Sequence, residues 1–151
     1  MNNSNYENYL KQIGNKINLN LEFDSNNLCE ISINEDDAIS VVANPEDHNL
    51  IFTTAVAVAL PDPISYSVVL DLFDLGLGPV LSHGGNSPVI GRDPDTEAII
   101  LYQVNTESIL ESSDVGELFL DFFKFKQAIA QHLKKVDSDS KTIDSVPTSF
   151  A

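Results

Sequence analysis

The spacing of hydrophobic positions changes several times along the chain, and each change marks an element. Tyr6, Tyr9, Leu10, Ile13 and Ile17 recur at intervals of three and four, which predicts an amphipathic helix. Ser4 and Glu7 have capping-box spacing, and Gly14 is placed to end that helix in the left-handed conformation. The period then falls to two. Leu19, Leu21 and Phe23 alternate with Asn20, Glu22 and Asp24, and Cys29, Ile31 and Ile33 alternate with Glu30, Ser32 and Asn34. Ile39, Val41 and Ala43 keep the same rhythm beyond the turn at Glu35, Asp36 and Asp37. This pattern predicts an antiparallel meander with one face in water. Residues 50–60 are apolar at both phases, as a central strand requires.

Pro61, Asp62 and Pro63 break that strand. Asp62 as N-cap and Pro63 as first helical residue open a second predicted helix, with Val68, Val69, Leu72, Phe73 and Leu75 on its apolar side and Gly76 at its end. Residues 77–88 contain Gly78, Pro79, Gly84, Gly85 and Pro88 and are predicted to form a mobile loop. Residues 89–92 and 98–104 read as strands around an Asp93-Pro94-Asp95-Thr96 turn. Ser112 or Ser113 is the expected cap of a last helix, whose period is held by Val115, Leu118, Phe119, Phe122, Phe125 or Lys126, Ile129 and Leu133. Asp114 and Glu117 at its start, and Lys134 and Lys135 at its end, suit the helix dipole. The expected fold is α+β, an antiparallel sheet of about five strands with three helices in the order α-βββ-α-ββ-α. Residues 1–135 form one expected domain, and the Ser/Asp/Thr-rich residues 136–151 an expected disordered tail.

Charge narrows the classes of partner. The chain of 151 residues carries a formal net charge of −15, and Arg92 is the only Lys or Arg between Ile17 and Phe123. Nucleic-acid binding requires phosphate-neutralising cations and is disfavoured. Hydrophobic content of 42% indicates a packed core rather than a disordered chain. Residues 50–60 are half a membrane span at most, and no basic region followed by an apolar run opens the sequence, so neither membrane insertion nor secretion is expected. The single cysteine, Cys29, excludes an internal disulfide and suits a reducing compartment.

Catalytic and metal chemistry find little support. Asp93, Asp95 and Glu97 resemble the start of a calcium loop, but the sixth position is Ala98 rather than glycine and the twelfth is Val104 rather than glutamate. His83-Gly84-Gly85 resembles an oxyanion loop, without a G-x-S-x-G nucleophile to serve it. Gly76 and Gly78 do not begin a phosphate-binding G-x-G-x-x-G. His48, His83 and His132 have no second ligand at metal spacing, and His132 reads as a cation near a helix C-terminus. Cys29 falls in phase with Ile31 and Ile33 and reads as core. No enzyme activity, cofactor or metal is expected.

The ordered set of elements resembles the class I type III secretion chaperones, the Tir-chaperone family. The resemblance rests on the helix ending Tyr9-Leu10-Lys11-Gln12-Ile13-Gly14, the Leu-rich stretch Leu19-Asn20-Leu21-Glu22-Phe23-Asp24 and the cysteine strand Leu28-Cys29-Glu30-Ile31-Ser32-Ile33. It continues with the helix Val68-Val69-Leu70-Asp71-Leu72-Phe73-Asp74-Leu75, the turn Arg92-Asp93-Pro94-Asp95-Thr96-Glu97 and the long last helix. The resemblance implies a cytoplasmic bacterial homodimer that holds the N-terminal region of a secreted effector extended and export-competent, without cofactor. It implies a dimer interface at Tyr66, Val69, Leu70, Phe73, Val89 and Ile90, and effector contacts at Tyr6, Tyr9, Leu19, Leu21, Phe23 and Ile31. Filling the core is an equal alternative for Leu19, Leu21 and Phe23, as is packing on their own sheet for Tyr66, Val69, Leu70 and Phe73. A protein-interaction or regulatory α+β domain unrelated to secretion, binding a folded partner, is the competing expectation.

Overall fold

The structure, a computed structural model, describes residues 3–35, 37–60, 62–83 and 86–144. Helix α1 (Asn3–Ile17) leads into a meander of β1 (Leu28–Asn34), β2 (Asp37–Asn44) and β3 (Asn49–Ala57). Helix α2 (Tyr66–His83), β4 (Val89–Arg92), β5 (Ile99–Thr106), the short α3 (Glu107–Ser112) and the long α4 (Val115–Asp144) follow. The strands form one sheet in the order β1-β2-β3-β5-β4, with every pair antiparallel. β3 is therefore central, as its apolar composition predicts, and β1 and β4 are the edges.

One face of the sheet carries the core. Cys29, Ile31, Ile39, Val41, Leu50, Phe52, Ile99 and Leu101 point to it and are buried. Tyr6, Tyr9, Leu10 and Ile13 of α1 and Val115, Phe119, Phe122, Ile129 and Leu133 of α4 complete the same cluster. Phe52 is its hub: Phe119 meets it edge-on at 5.6 Å and Phe122 at a tilt, also at 5.6 Å. Lys126, and not Phe125, takes the buried position on the stripe of α4. Its ammonium reaches Asp37 Oδ1 at 3.1 Å, so the buried charge is paired where β2 begins.

Helices α1 and α4 meet at α4's first turn. Asp114 Oδ1 accepts the Glu117 amide at 3.2 Å, so Asp114 is the cap rather than Ser112 or Ser113. Gln12 Oε1 accepts the Val115 amide at 3.2 Å, and Lys16 Nζ donates to Glu117 Oε1 at 2.7 Å. A Cβ on Gly116 would overlap Lys16 Cγ and lie 2.8 Å from the Gln12 carbonyl, so this contact needs glycine. Asp114→Ala is expected to cost ~1 kcal/mol of stability in urea unfolding, the usual worth of a cap.

Several expectations are corrected. Residues 19–24 alternate like a strand but form none. α1 passes through Gly14 to Ile17 and ends at Asn18 (φ 57°), with the Leu19 amide donating to the Gly14 carbonyl at 3.0 Å. Asn18 thus takes the left-handed position expected of Gly14. Ser4 lies inside α1 rather than capping it, since the helix begins at Asn3. α2 begins at Tyr66, not Pro63, because the Ser65 hydroxyl accepts the Val68 amide at 3.4 Å. α2 also runs through Gly76, Gly78 and Pro79 to His83, where a loop was expected. α3 is a helix the sequence did not signal. α4 continues past Leu133 to Asp144, through part of the segment expected as a tail; residues 145–151 lie outside the described residues.

Candidate functional site

The polar motifs resolve into local structure. The Asp93 carboxylate accepts the Asp95 amide at 2.9 Å and the Thr96 hydroxyl at 3.0 Å within its own turn. The Asp95 amide, foremost, holds the Asp93 carboxyl below the usual carboxylate range. Arg92 bonds Glu97 across the same turn at 3.1 Å. His132 lies in mid-helix, and its Nε2 faces Asp71 Oδ2 of α2 at 3.4 Å rather than a helix end. Among the described residues, no group of three His, Cys, Asp or Glu side chains is placed to hold a metal ion. Gly84 and Gly85 of the His83-Gly84-Gly85 motif lie outside the described residues. No helix among the described residues is long and apolar enough to cross a membrane.

The apolar surface is more informative. Tyr66, Val69, Leu70 and Phe73 fall at positions i, i+3, i+4 and i+7 of α2, so they share one flank, while Val68 is buried on another. Tyr66 is 78% exposed, Phe73 72% and Leu70 44%. On the neighbouring edge strand β4, Val89 is 58% exposed and Ile90 half-buried. Between them lies an apolar groove of about 510 Å³, lined by Val69, Phe73, Val89 and Ile90 together with Leu60 and Ile64. Four of the six residues expected at a dimer contact thus line one groove, and Leu70 and Tyr66 stand exposed on the flank beside it. The apolar surface is contiguous, on a chain of net charge −15.

The residues expected to contact an effector divide. Tyr6, Tyr9 and Ile31 are 2%, 8% and 1% exposed and belong to the core, so they present no side-chain surface. The Tyr6 hydroxyl donates to the Asn44 carbonyl at 3.3 Å, and its ring meets Tyr9 edge-on at 6.5 Å. Burial first, then the Glu107 carboxylate, pushes the Tyr6 phenol up. The stripe of α1 that looked like a binding surface is the stripe that packs on the sheet. Leu19, by contrast, is exposed, and Leu21 and Phe23 are half-buried against the core margin. These three, with Glu7, Leu10, Lys11 and Asn15 of α1, line a groove of about 600 Å³. A second groove of about 520 Å³ runs between residues 20–24 and Leu28, Cys29 and Glu30 at the start of β1. Cys29 is buried there, and burial pushes its thiol up.

One surface escaped the sequence. On the sheet face opposite the helices, the register aligns Leu28, Val42, Ile51 and Val104 in a row across four strands. Tyr102 lies two residues before Val104 on the same face, and both are exposed. Conversely, Gln103 and Asn105 are buried on the core side. Gln103 Nε2 donates to Asn105 Oδ1 at 2.9 Å, and Asn105 Nδ2 to the Leu50 carbonyl at 3.1 Å. The signal was the apolar run at both phases of residues 99–102, followed by Gln103 and Asn105 in the inward phase.

Comparison with known proteins bears on these surfaces. Residues 8–134 match the family model described as the Tir chaperone protein (CesT) family. No curated protein sequence matches the chain. Among solved structures, a chain of the HopA1–SchA chaperone–effector complex superposes with a TM-score of 0.65 at 18% identity, covering 89% of this chain and 98% of that one. A chain of the ExsC–ExsE complex gives 0.61 at 16% identity, covering 87% and 92%. One from the ExoT–SpcS complex of Pseudomonas aeruginosa gives 0.57 at 16% identity, covering 87% and 99%. At these identities the likeness is one of fold.

Proposed function

The chain belongs to the Tir chaperone protein (CesT) family, and from that premise we propose that it is a type III secretion chaperone of the bacterial cytoplasm. It acts as a homodimer and keeps the N-terminal region of a secreted effector extended and export-competent. The observation that carries this function is the conjunction of an apolar flank on α2 beside the open edge β4 with separate grooves along α1 and the other edge, β1. Tyr66, Val69, Leu70, Phe73, Val89 and Ile90 serve self-association. Leu19, Leu21 and Phe23 mark the client's groove along α1. A sheet edge offers main-chain hydrogen bonds to any extended peptide, while side-chain grooves beside it set preference. The negative surface keeps unoccupied grooves of separate dimers apart. Holding a chain extended calls for neither a nucleophile nor a metal, so no catalytic residue enters the mechanism.

Co-expression with N-terminal fragments of the secreted effectors of its own bacterium tests the function. A fragment should co-purify, and hydrogen exchange should show protection along the β1 edge with no compact fold in the client. A strict monomer that retains no fragment, or a client bound only as a folded domain, would falsify it.

A further inference from the structure

Between α1 and β1 the chain runs as a strap, residues 19–24, tied at both ends by backbone hydrogen bonds. At its start the Leu19 amide is held by the Gly14 carbonyl at 3.0 Å. At its end the Asp24 amide donates to the Leu28 carbonyl at 2.8 Å, and Asp24 Oδ1 accepts the Asn26 and Leu28 amides at 2.8 and 3.0 Å. The Asp24–Leu28 bond is the first rung of a hairpin with β1, yet no second rung follows: among the described residues, no backbone hydrogen bond joins residues 20–23 to β1. The strap has the alternation of a strand and lies beside an edge strand, but it does not pair with it. Leu21 and Phe23 rest on the core margin instead, and a groove opens on either side. The Glu22 amide is directed at the sulfur of buried Cys29, so the strap covers that thiol.

Gly14 fixes how closely the strap lies on α1. A Cβ there would stand 2.5 Å from the Leu19 carbonyl oxygen and 3.6 Å from Leu21 Cγ. The first distance is shorter than a non-bonded contact tolerates, and the obstacle is backbone. Any side chain at position 14 must therefore lift the strap.

We propose that residues 19–24 are a displaceable cover, latched on Gly14, that holds the place of an incoming extended segment along α1 and the β1 edge. The proposal rests on the chaperone function only in naming that segment a client. The chemistry of the segment follows from the groove. The strap's own pattern supplies apolar residues at alternate positions. The groove beside β1 contains Glu22, Asp24 and Glu30 and no Lys or Arg, so the intervening positions favour cations. An extended stretch alternating aliphatic or aromatic residues with Lys or Arg fits the site. Covers of this kind come from the low-stability end of a fold, held by few buried contacts.

The test needs no natural client. Cys29 is the only cysteine, so its labelling by N-ethylmaleimide reports opening of the strap. Gly14→Ala is expected to raise the labelling rate about tenfold or more under native conditions, with a folded circular dichroism spectrum. A fluorescent peptide alternating Leu and Lys should bind Gly14→Ala about tenfold tighter than the wild type. A peptide of the same composition with the alternation broken should gain nothing. Leu21→Gly, which loosens the strap while leaving the sequence of α1 unchanged, should raise the labelling rate in the same way. Unchanged labelling in a folded variant overturns the proposal. So does equal gain by both peptides, or unfolding of both variants, which would make the strap an integral part of the core. Any of these outcomes leaves effector co-purification untouched, and loss of co-purification leaves strap opening untouched, so the two failures are distinguishable.

Discussion

Replacing Phe119 by alanine should lower the free energy of unfolding by ~4 kcal/mol, the range found for a buried phenylalanine that leaves a cavity. Phe119 is fully buried in the first turns of α4 and stacks edge-on against Phe52 of the central strand. Phe52 also supports Phe122, so the cavity would open where helix and sheet are bonded most tightly and collapse would be poor. A domain of this size is stable by about 5–15 kcal/mol in total, so the loss is a large share. Urea unfolding at fixed protein concentration is the measurement, because dissociation couples to unfolding in a dimer. Phe123→Ala is the contrast: that ring is half-buried and should cost about half as much or less. Equal losses at the two positions would mean that the Phe52 hub does not anchor α4.

Phe73→Asp should convert the proposed homodimer to monomers. The ring is largely exposed in the single chain and borders the apolar groove shared by α2 and β4. Buried aromatic residues at the centre of an interface are worth about 2 kcal/mol or more each. In a two-fold dimer the change enters twice, and a desolvated carboxylate adds to the loss. Together these weaken association by roughly a thousandfold. Light scattering should then show the mass of one chain instead of two, with an unchanged circular dichroism spectrum. Leu70→Asp, on the same flank, should act in the same direction. An unchanged mass in both variants would move the dimer contact away from α2.

The elements most legible in the sequence are those whose hydrophobic period and backbone partner agree. Ile39, Val41 and Ala43, and likewise Cys29 and Ile31, alternate and face the core because a neighbouring strand pairs with each of them. The stripe from Val115 to Leu133 likewise packs as its spacing predicts. Residues 19–24 alternate just as cleanly, but the chain leaves Gly14 too closely wrapped on α1 to enter the plane of the sheet. Alternation reports which side chains face inward; it does not report whether a ladder forms. The exposed flank of α2 was legible as a stripe because Tyr66, Val69, Leu70 and Phe73 repeat at helical spacing. Tyr6 and Tyr9 carry the same kind of signal and are core, since a stripe alone does not tell which neighbour covers it. Gln103 and Asn105 defeated the pattern outright: polar residues read as wet, and these two are buried because each amide finds a partner.

The inverted end of β5 makes the strand's alignment a matter of conflict between its two halves. Sliding β5 by one residue along β3 would exchange its faces. That would tuck Tyr102 and Val104 beneath the helices and return Gln103 and Asn105 to solvent, a change their solvation alone would favour. The opposite half forbids it: Ile99 and Leu101 would surface, and Asn105 would forfeit the Leu50 carbonyl. The native alignment is thus decided at residues 99–101 and clamped by one side-chain amide, while the far end of the strand is left oily-side-out.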